Sequence, residues 1–154
     1  TTMTDQYLTR DKTLEVTCVG HASIMMRYGE RIIHVDPYGD VADYGQLPDA
    51  DLILITHHHG DHFDTLAIAE IERPTTQIIG SPTVIRELKR GKALRNGSQT
   101  VWNEIPIRAV PAYNRISMRS PGEATYPCFR YNCTHRCIRR NISREILRSF
   151  SQAF

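Results

Sequence analysis

The sequence has little that would place the protein in a membrane or outside the cell. None of its apolar stretches approaches the roughly 20 residues that a membrane-spanning helix needs, and residues 1–14 lack the basic-then-apolar pattern of a signal peptide. Its four cysteines are too few for a disulfide scaffold in a chain of 154 residues. We therefore expect a soluble, cytoplasmic protein with reduced thiols.

Several motifs of common functional classes are also missing from the sequence. There is no glycine-rich motif that could cradle a phosphate, no serine or cysteine in the setting of a nucleophile, and no surface of alternating aromatic and basic residues. The formal net charge is only +2. We therefore expect a small-molecule substrate, and neither a nucleic acid nor a membrane as partner.

Charge and cysteine divide the chain into two parts near residue 115. Residues 1–115 hold 12 Lys and Arg against 15 Asp and Glu, whereas residues 116–154 hold seven Arg, no Lys and two Glu. Three of the four cysteines (Cys128, Cys133 and Cys137) lie in the second part. We expect residues 13–115 to form the N-terminal part of a domain, and residues 116–154 to be an atypical basic Cys/Arg-rich tail that is poorly ordered, with at most a helix over 138–150.

Strand patterns dominate the first part, and two short helical patterns interrupt them. Residues 51–56 have an unbroken apolar centre, which is typical of a strand covered on both faces. Strands are also predicted at residues 13–19, 23–28, 31–36, 76–80 and 105–112, with helices at 65–72 and 82–89. This order predicts an α/β fold with a mixed, largely antiparallel sheet and helices packed outside it.

The most informative segment is 56–62, Thr-His-His-His-Gly-Asp-His, directly after the buried strand. In an extended strand exit, His57 and His59 project to the same side, so both can reach one cation while His58 points away. A turn at Gly60 would bring Asp61 and His62 to a second cation nearby. These ligands suit a divalent metal, zinc first, with manganese or iron as alternatives. The competing interpretation is a polar loop with surface histidines.

This motif resembles the signature of the metallo-β-lactamase superfamily, and further segments resemble its metal-dependent hydrolase branch related to ascorbate-6-phosphate lactonase. These segments are residues 19–23, 35–38, 47–56, 96–97 and 110–114. The resemblance implies a partial αββα sandwich with up to two metal ions at one edge of its sheets. It implies that His57 and His59 hold the first ion and that Asp61 and His62 hold the second.

The resemblance also implies an enzyme in which a metal-bound hydroxide attacks an ester, lactone or phosphoester. Asp61 is then a catalytic residue that orients the hydroxide and carries a proton to the leaving group.

Part of the family's site has no counterpart in this sequence. The complete site also needs a histidine from a central loop, an aspartate in a later Gly-Asp-Thr turn and a final histidine, yet His135 is the only histidine after Asn114. A second hypothesis is therefore a non-catalytic truncated or frameshifted metal-binding fragment, which could self-associate through exposed apolar surface. A third is a binding module that uses a basic helix in the tail.

Other polar residues favour structural roles. His21 lies in a loop between two predicted strands and could approach the metal edge, but we interpret it as a hydrogen-bonded structural histidine and leave it out of the ligand set. Asp36 could support a ligand histidine from outside the metal site, although an Asp-Pro turn explains it nearly as well. His34 lies within an alternating strand and is expected to be structural.

Overall fold

A computed structural model describes residues 3–110 of the chain. Residues 1–2 and 111–154 lie outside the described residues, and with them lie the predicted tail, its helix over 138–150 and the end of the last predicted strand. The described elements are β1 (Met3–Leu8), β2 (Thr13–Gly20), β3 (Ser23–Tyr28), β4 (Arg31–Val35), a 3-10 turn (Tyr44–Gln46), β5 (Leu52–Ile55), α1 (Thr65–Ile71), β6 (Gln77–Gly80), α2 (Pro82–Leu88), β7 (Lys92–Ala93), β8 (Gln99–Trp102) and β9 (Ile105–Arg108).

Strands β1 to β7 form one mixed sheet in the order of the chain, and β8 and β9 form a separate antiparallel hairpin. The pairings from β1 to β4 are antiparallel, and those from β4 to β7 are parallel. The predicted α/β fold with a mixed sheet is confirmed. Strand β1 was not predicted, because its residues are mostly polar and exposed at the margin of the sheet.

Strand direction brings the ends of distant segments together. β2 is antiparallel to β3, β3 is antiparallel to β4, and β4 is parallel to β5, so β2, β4 and β5 all run the same way. Their carboxyl ends therefore lie at one end of the sheet, which we call the carboxyl end. The residues that follow these three strands begin at His21, Asp36 and Thr56.

The two faces of the sheet support different layers. Along β5, Leu52 belongs to one apolar cluster and Ile53 to the other, as the alternation of side chains in a strand requires. The Ile53 cluster contains α1 and α2, whereas the Leu52 cluster contains Trp102 and Ile105 of the β8–β9 hairpin. Full burial of a side chain such as Ile53 contributes about 1.5–3 kcal/mol. Helices on one face and strands on the other match the layering of a partial αββα sandwich.

Both predicted helices are present, with differences at their ends. Asp64 caps α1 by accepting hydrogen bonds from the backbone N–H groups of Leu66 and Ala67, as its position before the helix predicts. Ser81 precedes α2, where a serine favours a hydroxyl cap, but its side chain makes no such bond, and Pro82 at the first helical position favours the start of that helix. Among residues 3–110, the structure has no helix long and apolar enough to cross a membrane.

Candidate metal centre

The histidine motif directly follows the strand β5 and therefore lies at the carboxyl end of the sheet. His57 follows this strand by two positions and is 1% exposed, while His59 lies at the surface. The Nε2 atom of His57 lies 3.1 Å from the Nδ1 atom of His59. The structure therefore brings together the two imidazoles that the sequence assigned to the first ion.

Asp36 is a buried carboxylate that is hydrogen-bonded to residues of the histidine motif and is 2% exposed. One carboxylate oxygen, Oδ1, accepts the backbone N–H of Thr56 at 2.7 Å. The other, Oδ2, accepts the Thr56 hydroxyl at 2.7 Å and lies 2.8 Å from Nδ1 of His62. Since a carboxylate only accepts hydrogen bonds, Nδ1 of His62 carries the proton. The lone pair of His62 is therefore on Nε2, where a cation can bind it.

The same hydrogen-bond chain sets the tautomer of His57. The Thr56 hydroxyl has a single hydrogen, which it donates to Asp36, so it accepts a hydrogen bond from Nδ1 of His57 at 3.0 Å. This leaves the lone pair of His57 on Nε2, facing His59. Asp36 thus holds both His57 and His62 in the tautomer that a metal ligand needs, which supports the expectation that it acts from outside the ligand set.

The second pair of predicted ligands lies beside the first. Atom Oδ2 of Asp61 lies 3.7 Å from Nε2 of His62 and 2.9 Å from Nε2 of His21. The ligand atoms of these three residues all lie within 4.8 Å of one another. The ring centroids of His57 and His62 are 4.1 Å apart, so the two ligand pairs form one continuous cluster.

The donor set fits a divalent cation. Two nitrogen ligands with bonds of about 2.0–2.1 Å in a tetrahedral site lie about 3.3 Å apart, close to the 3.1 Å between His57 Nε2 and His59 Nδ1. Burial, followed by the neighbouring His62 and His59, lowers the pKa of His57 to about 4. His57 is therefore neutral at pH 7, as a metal ligand must be.

The pKa values of the second pair of predicted ligands shift in opposite directions. Burial raises the pKa of Asp61, but the hydrogen bond with His21 and the nearby His62 outweigh it and hold this pKa below its usual value. Burial opposes the charged form of His62, yet the hydrogen bond and charge of Asp36 hold the pKa of His62 above its usual value. Asp61 is thus an ionised oxygen donor, and a cation at Nε2 of His62 must displace any proton there.

Two residues at this site have strained backbones. His21 has φ +50° and Asp36 has φ +46°, in the left-handed region that non-glycine residues seldom occupy. Such strain costs about 1–3 kcal/mol per residue and concentrates at functional sites. Both residues lie where a strand ends at the carboxyl end of the sheet, next to the predicted ligands.

The sequence interpretation placed His21 outside the site, whereas the structure places it against Asp61. The direction of the strands was the signal that could have revealed this position. Because β2 and β5 run the same way, the turn after β2 lies at the end of the sheet where β5 also ends. His58 is not part of the cluster around Asp61, and its ring lies 5.2 Å from that of His59.

Comparisons with known proteins identify the family to which the chain is similar. Residues 15–138 match the family model of the Beta-lactamase superfamily domain. The match ends within residues 116–154, so the domain boundary near residue 115 stays a prediction.

Curated relatives are found in archaea and in bacteria. The chain is 32% identical over 113 residues to a UPF0173 protein of Pyrococcus abyssi, covering 64% of this chain and 52% of that protein. It is 29% identical over 108 residues to a UPF0173 metal-dependent hydrolase of Methanosphaerula palustris, covering 68% of this chain and 46% of the relative. The chain thus spans about half the length of the curated relatives it matches.

Solved structures show the same fold. A protein of Parabacteroides distasonis assigned as a metal-dependent hydrolase superposes with a TM-score of 0.72 at 40% identity, covering 79% of this chain and 55% of that one. Igni18, a metallo hydrolase of Ignicoccus hospitalis, superposes with a TM-score of 0.53 at 22% identity, covering 65% and 49%. The latter identity supports a likeness of fold alone.

Proposed function

Since this chain belongs to the metallo-β-lactamase superfamily, we propose that it is a metal-dependent hydrolase that acts on a small-molecule ester, lactone or phosphoester. The observation that carries this proposal is the convergence of His57 Nε2 and His59 Nδ1 beside Asp61 and His62. The metal-dependent hydrolase of Methanosphaerula palustris supports the reaction class. The more specific likeness to ascorbate-6-phosphate lactonase is part of the proposal.

Four side chains would hold the ions. His57 and His59 offer two imidazole nitrogens to the first, and Asp61 and His62 offer a carboxylate oxygen and an imidazole nitrogen to the second. We propose zinc as the metal, with manganese or iron as alternatives, because imidazole binds all three and the carboxylate favours the harder ions. A cation bound there would lower the pKa of a water molecule and supply a nucleophile near neutral pH.

Asp61 has the properties of the catalytic residue in this scheme. Its side chain is 44% exposed, so it can contact a substrate, and its lowered pKa keeps it ionised. An ionised carboxylate can accept a proton from the attacking water and hold the oxygen of that water in line with the scissile carbonyl or phosphorus. The same carboxyl oxygen would then donate the proton to the leaving group.

Asp36 would act through the histidines and not on the substrate. It is buried, and its three hydrogen-bond contacts fix Thr56 and the ring of His62. Geometry held in this way is what a metal-assisted hydrolysis requires in addition to the cation itself.

The second candidate function is metal binding without turnover. It is favoured by the small number of ligands that residues 3–110 offer to the first ion, which are the two imidazoles of His57 and His59. The ligand set that the family uses includes further residues, and the sequence after Asn114 contains His135 but no aspartate.

One experiment separates these possibilities. The purified chain is dialysed against zinc and then buffer, and its metal content is measured by elemental analysis. We expect the unchanged chain and His58→Ala, which keeps all four ligands, to retain metal, and the double variant His57→Ala/His59→Ala to lose the first ion. Retention of both ions by the double variant would refute the ligand assignment.

Hydrolysis of activated esters, lactones and phosphodiesters is then measured on the same samples. Hydrolysis that a chelator abolishes and that Asp61→Asn lowers by about 100-fold or more would support the enzyme. Retained metal with no hydrolysis of any of these substrates would support metal binding without turnover. Turnover that survives both the chelator and Asp61→Asn would show that the chemistry lies elsewhere.

A further inference from the structure

The turn between β2 and β3 carries an imidazole into the proposed metal centre. His21 Nε2 lies 2.9 Å from Asp61 Oδ2, and its ring centroid lies 5.5 Å from that of His62. His62 Nδ1 is bound to Asp36, so the atom that His62 turns toward this cluster is Nε2. Three ligand atoms of types that zinc binds therefore lie within 4.8 Å of one another.

We propose that His21 is the third protein ligand of the second cation, together with Asp61 and His62. This inference rests on the proposed function, and it assigns to this turn a role that the sequence interpretation left to a later histidine. It means that residues 21–62 alone supply three protein ligands to one ion.

The distances within the cluster support this assignment. The separations from Asp61 Oδ2 are 2.9 Å to His21 and 3.7 Å to His62, and all three ligand atoms lie within 4.8 Å of one another. In a tetrahedral site with bonds of about 2.0–2.1 Å, ligand atoms lie about 3.3 Å apart. The two separations from Asp61 Oδ2 are therefore within about 0.4 Å of this value, and rotation of the exposed His21 side chain would bring its nitrogen to the same cation as Asp61 and His62.

The backbone of the turn is fixed on both sides of His21. A Cβ atom on Gly20 would lie 2.8 Å from Cβ of Val41, so the chain approaches Val41 more closely than a side chain at position 20 would allow. Ser23 is buried, and its hydroxyl donates a hydrogen bond to the backbone oxygen of Asp36. The turn is thus tied to the same residue that orients His62.

The open side of the cluster agrees with a catalytic ion. The side chains of His21 and Asp61 are 47% and 44% exposed, whereas His62 is buried. Three protein ligands and one side open to solvent are the usual arrangement of a catalytic zinc site, in contrast to the closed four-ligand shell of a structural site.

A matched pair of variants distinguishes a ligand from a hydrogen-bond partner. His21→Gln and His21→Glu have similar length, but the amide of Gln can donate a hydrogen bond to Asp61 and is a poor ligand, while the carboxylate of Glu can bind a cation. Cobalt(II) alone is titrated into the full chain and both variants, with His58→Ala as control, and binding is followed by absorption and calorimetry.

We expect two ions per chain, and an affinity for the second ion that falls by about 100-fold or more in His21→Gln but stays within about tenfold in His21→Glu and His58→Ala. Loss of an outer hydrogen-bond partner alone usually costs about 10–100-fold. Retained affinity in His21→Gln with loss in His21→Glu would show that His21 only donates a hydrogen bond, and any other pattern would also overturn the assignment.

A measurement on the unchanged chain needs no variant. With cadmium-113 bound and the histidines labelled with nitrogen-15, a one-bond coupling should appear at Nε2 of His21, and its absence would overturn the proposal. If the unchanged chain binds no metal, the proposed function fails together with this inference. If it binds two ions and shows no such coupling, only the role of His21 fails.

Discussion

Replacing Asp36 with asparagine tests whether the buried carboxylate organises both the fold and the metal centre. The substitution keeps the shape of the side chain but exchanges one oxygen for an NH2 group. In the native chain the two oxygens face three donors, which are the N–H and hydroxyl of Thr56 and Nδ1 of His62. An amide can accept at only one end, so each of its two orientations places NH2 against at least one donor.

The size of the effect follows from these contacts. In the better orientation the amide oxygen accepts from the hydroxyl and from His62, and the backbone N–H of Thr56 loses its acceptor. A buried donor without a partner costs about 1–3 kcal/mol, and hydrogen bonds to a charged group are about twice as strong as neutral ones. We therefore expect the free energy of unfolding to fall by about 2–4 kcal/mol, a large share of the roughly 5–15 kcal/mol typical of a domain.

The assay is urea unfolding of the metal-free chain, followed by a zinc titration in buffer. The matched control is Asp49→Asn, because Asp49 is 55% exposed and its nearest cation, Arg73, is 4.0 Å away. We expect this control to change stability by no more than about 0.5 kcal/mol. Asp36→Asn should also weaken zinc binding by about 10–100-fold. Equal stabilities of the two variants, or unchanged zinc affinity in Asp36→Asn, would refute the reasoning.

Three further predictions concern the fold. Burial lowers the pKa of His34 more than its hydrogen bond to the Pro48 carbonyl raises it, so His34 binds a proton more readily in the unfolded chain. The free energy of unfolding should therefore fall as pH drops below about 6.5, by at most about 1.4 kcal/mol per pH unit from this group. In urea titrations at several pH values, His34→Gln should reduce this dependence on pH. Gly91→Ala should destabilise the chain more than Gly97→Ala, since both have positive φ but only the Cβ at position 91 would meet a backbone atom at 2.8 Å; equal thermal unfolding midpoints would contradict this. Asp64→Ala should cost about 1–2 kcal/mol by removing the cap of α1, whereas Asp64→Ser should restore most of that loss.

The local patterns of the sequence were sufficient to predict most strands of the sheet and the position of the histidine motif at the end of β5. The strand β3 has the predicted bounds, and the apolar run of β5 lies buried between two layers as expected. Hydrophobic periodicity reports burial directly, and both strands lie inside the sheet. The strand β1 lies at the margin, where polar residues such as Thr4 pair across to β2, so its burial pattern carries little signal.

The environment of the ligands depends on contacts that no local pattern contains. Asp36 and His62 are 26 positions apart, and His21 and Asp61 are 40 apart. Such pairs become visible only when the directions of β2, β4 and β5 are considered together. The left-handed backbone of His21 could not be predicted from the sequence either, because only a few per cent of non-glycine residues adopt positive φ. The motif thus predicted a metal site, while the hydrogen bonds that orient its predicted ligands could be found only from the fold.

The order of the strands has a consequence for how the protein is made. Every side chain of the proposed centre lies within residues 21–62, in segments that directly follow β2, β4 and β5, and these strands pair with their immediate neighbours in the chain. Contacts between segments that are near each other in sequence require only short loops and therefore form early. Chains also begin to fold from their N-terminal side during synthesis. The cluster can therefore assemble once β5 and the loop after it have left the ribosome. A cation captured at that stage would bias the nascent chain toward the native sheet before its last strands are translated.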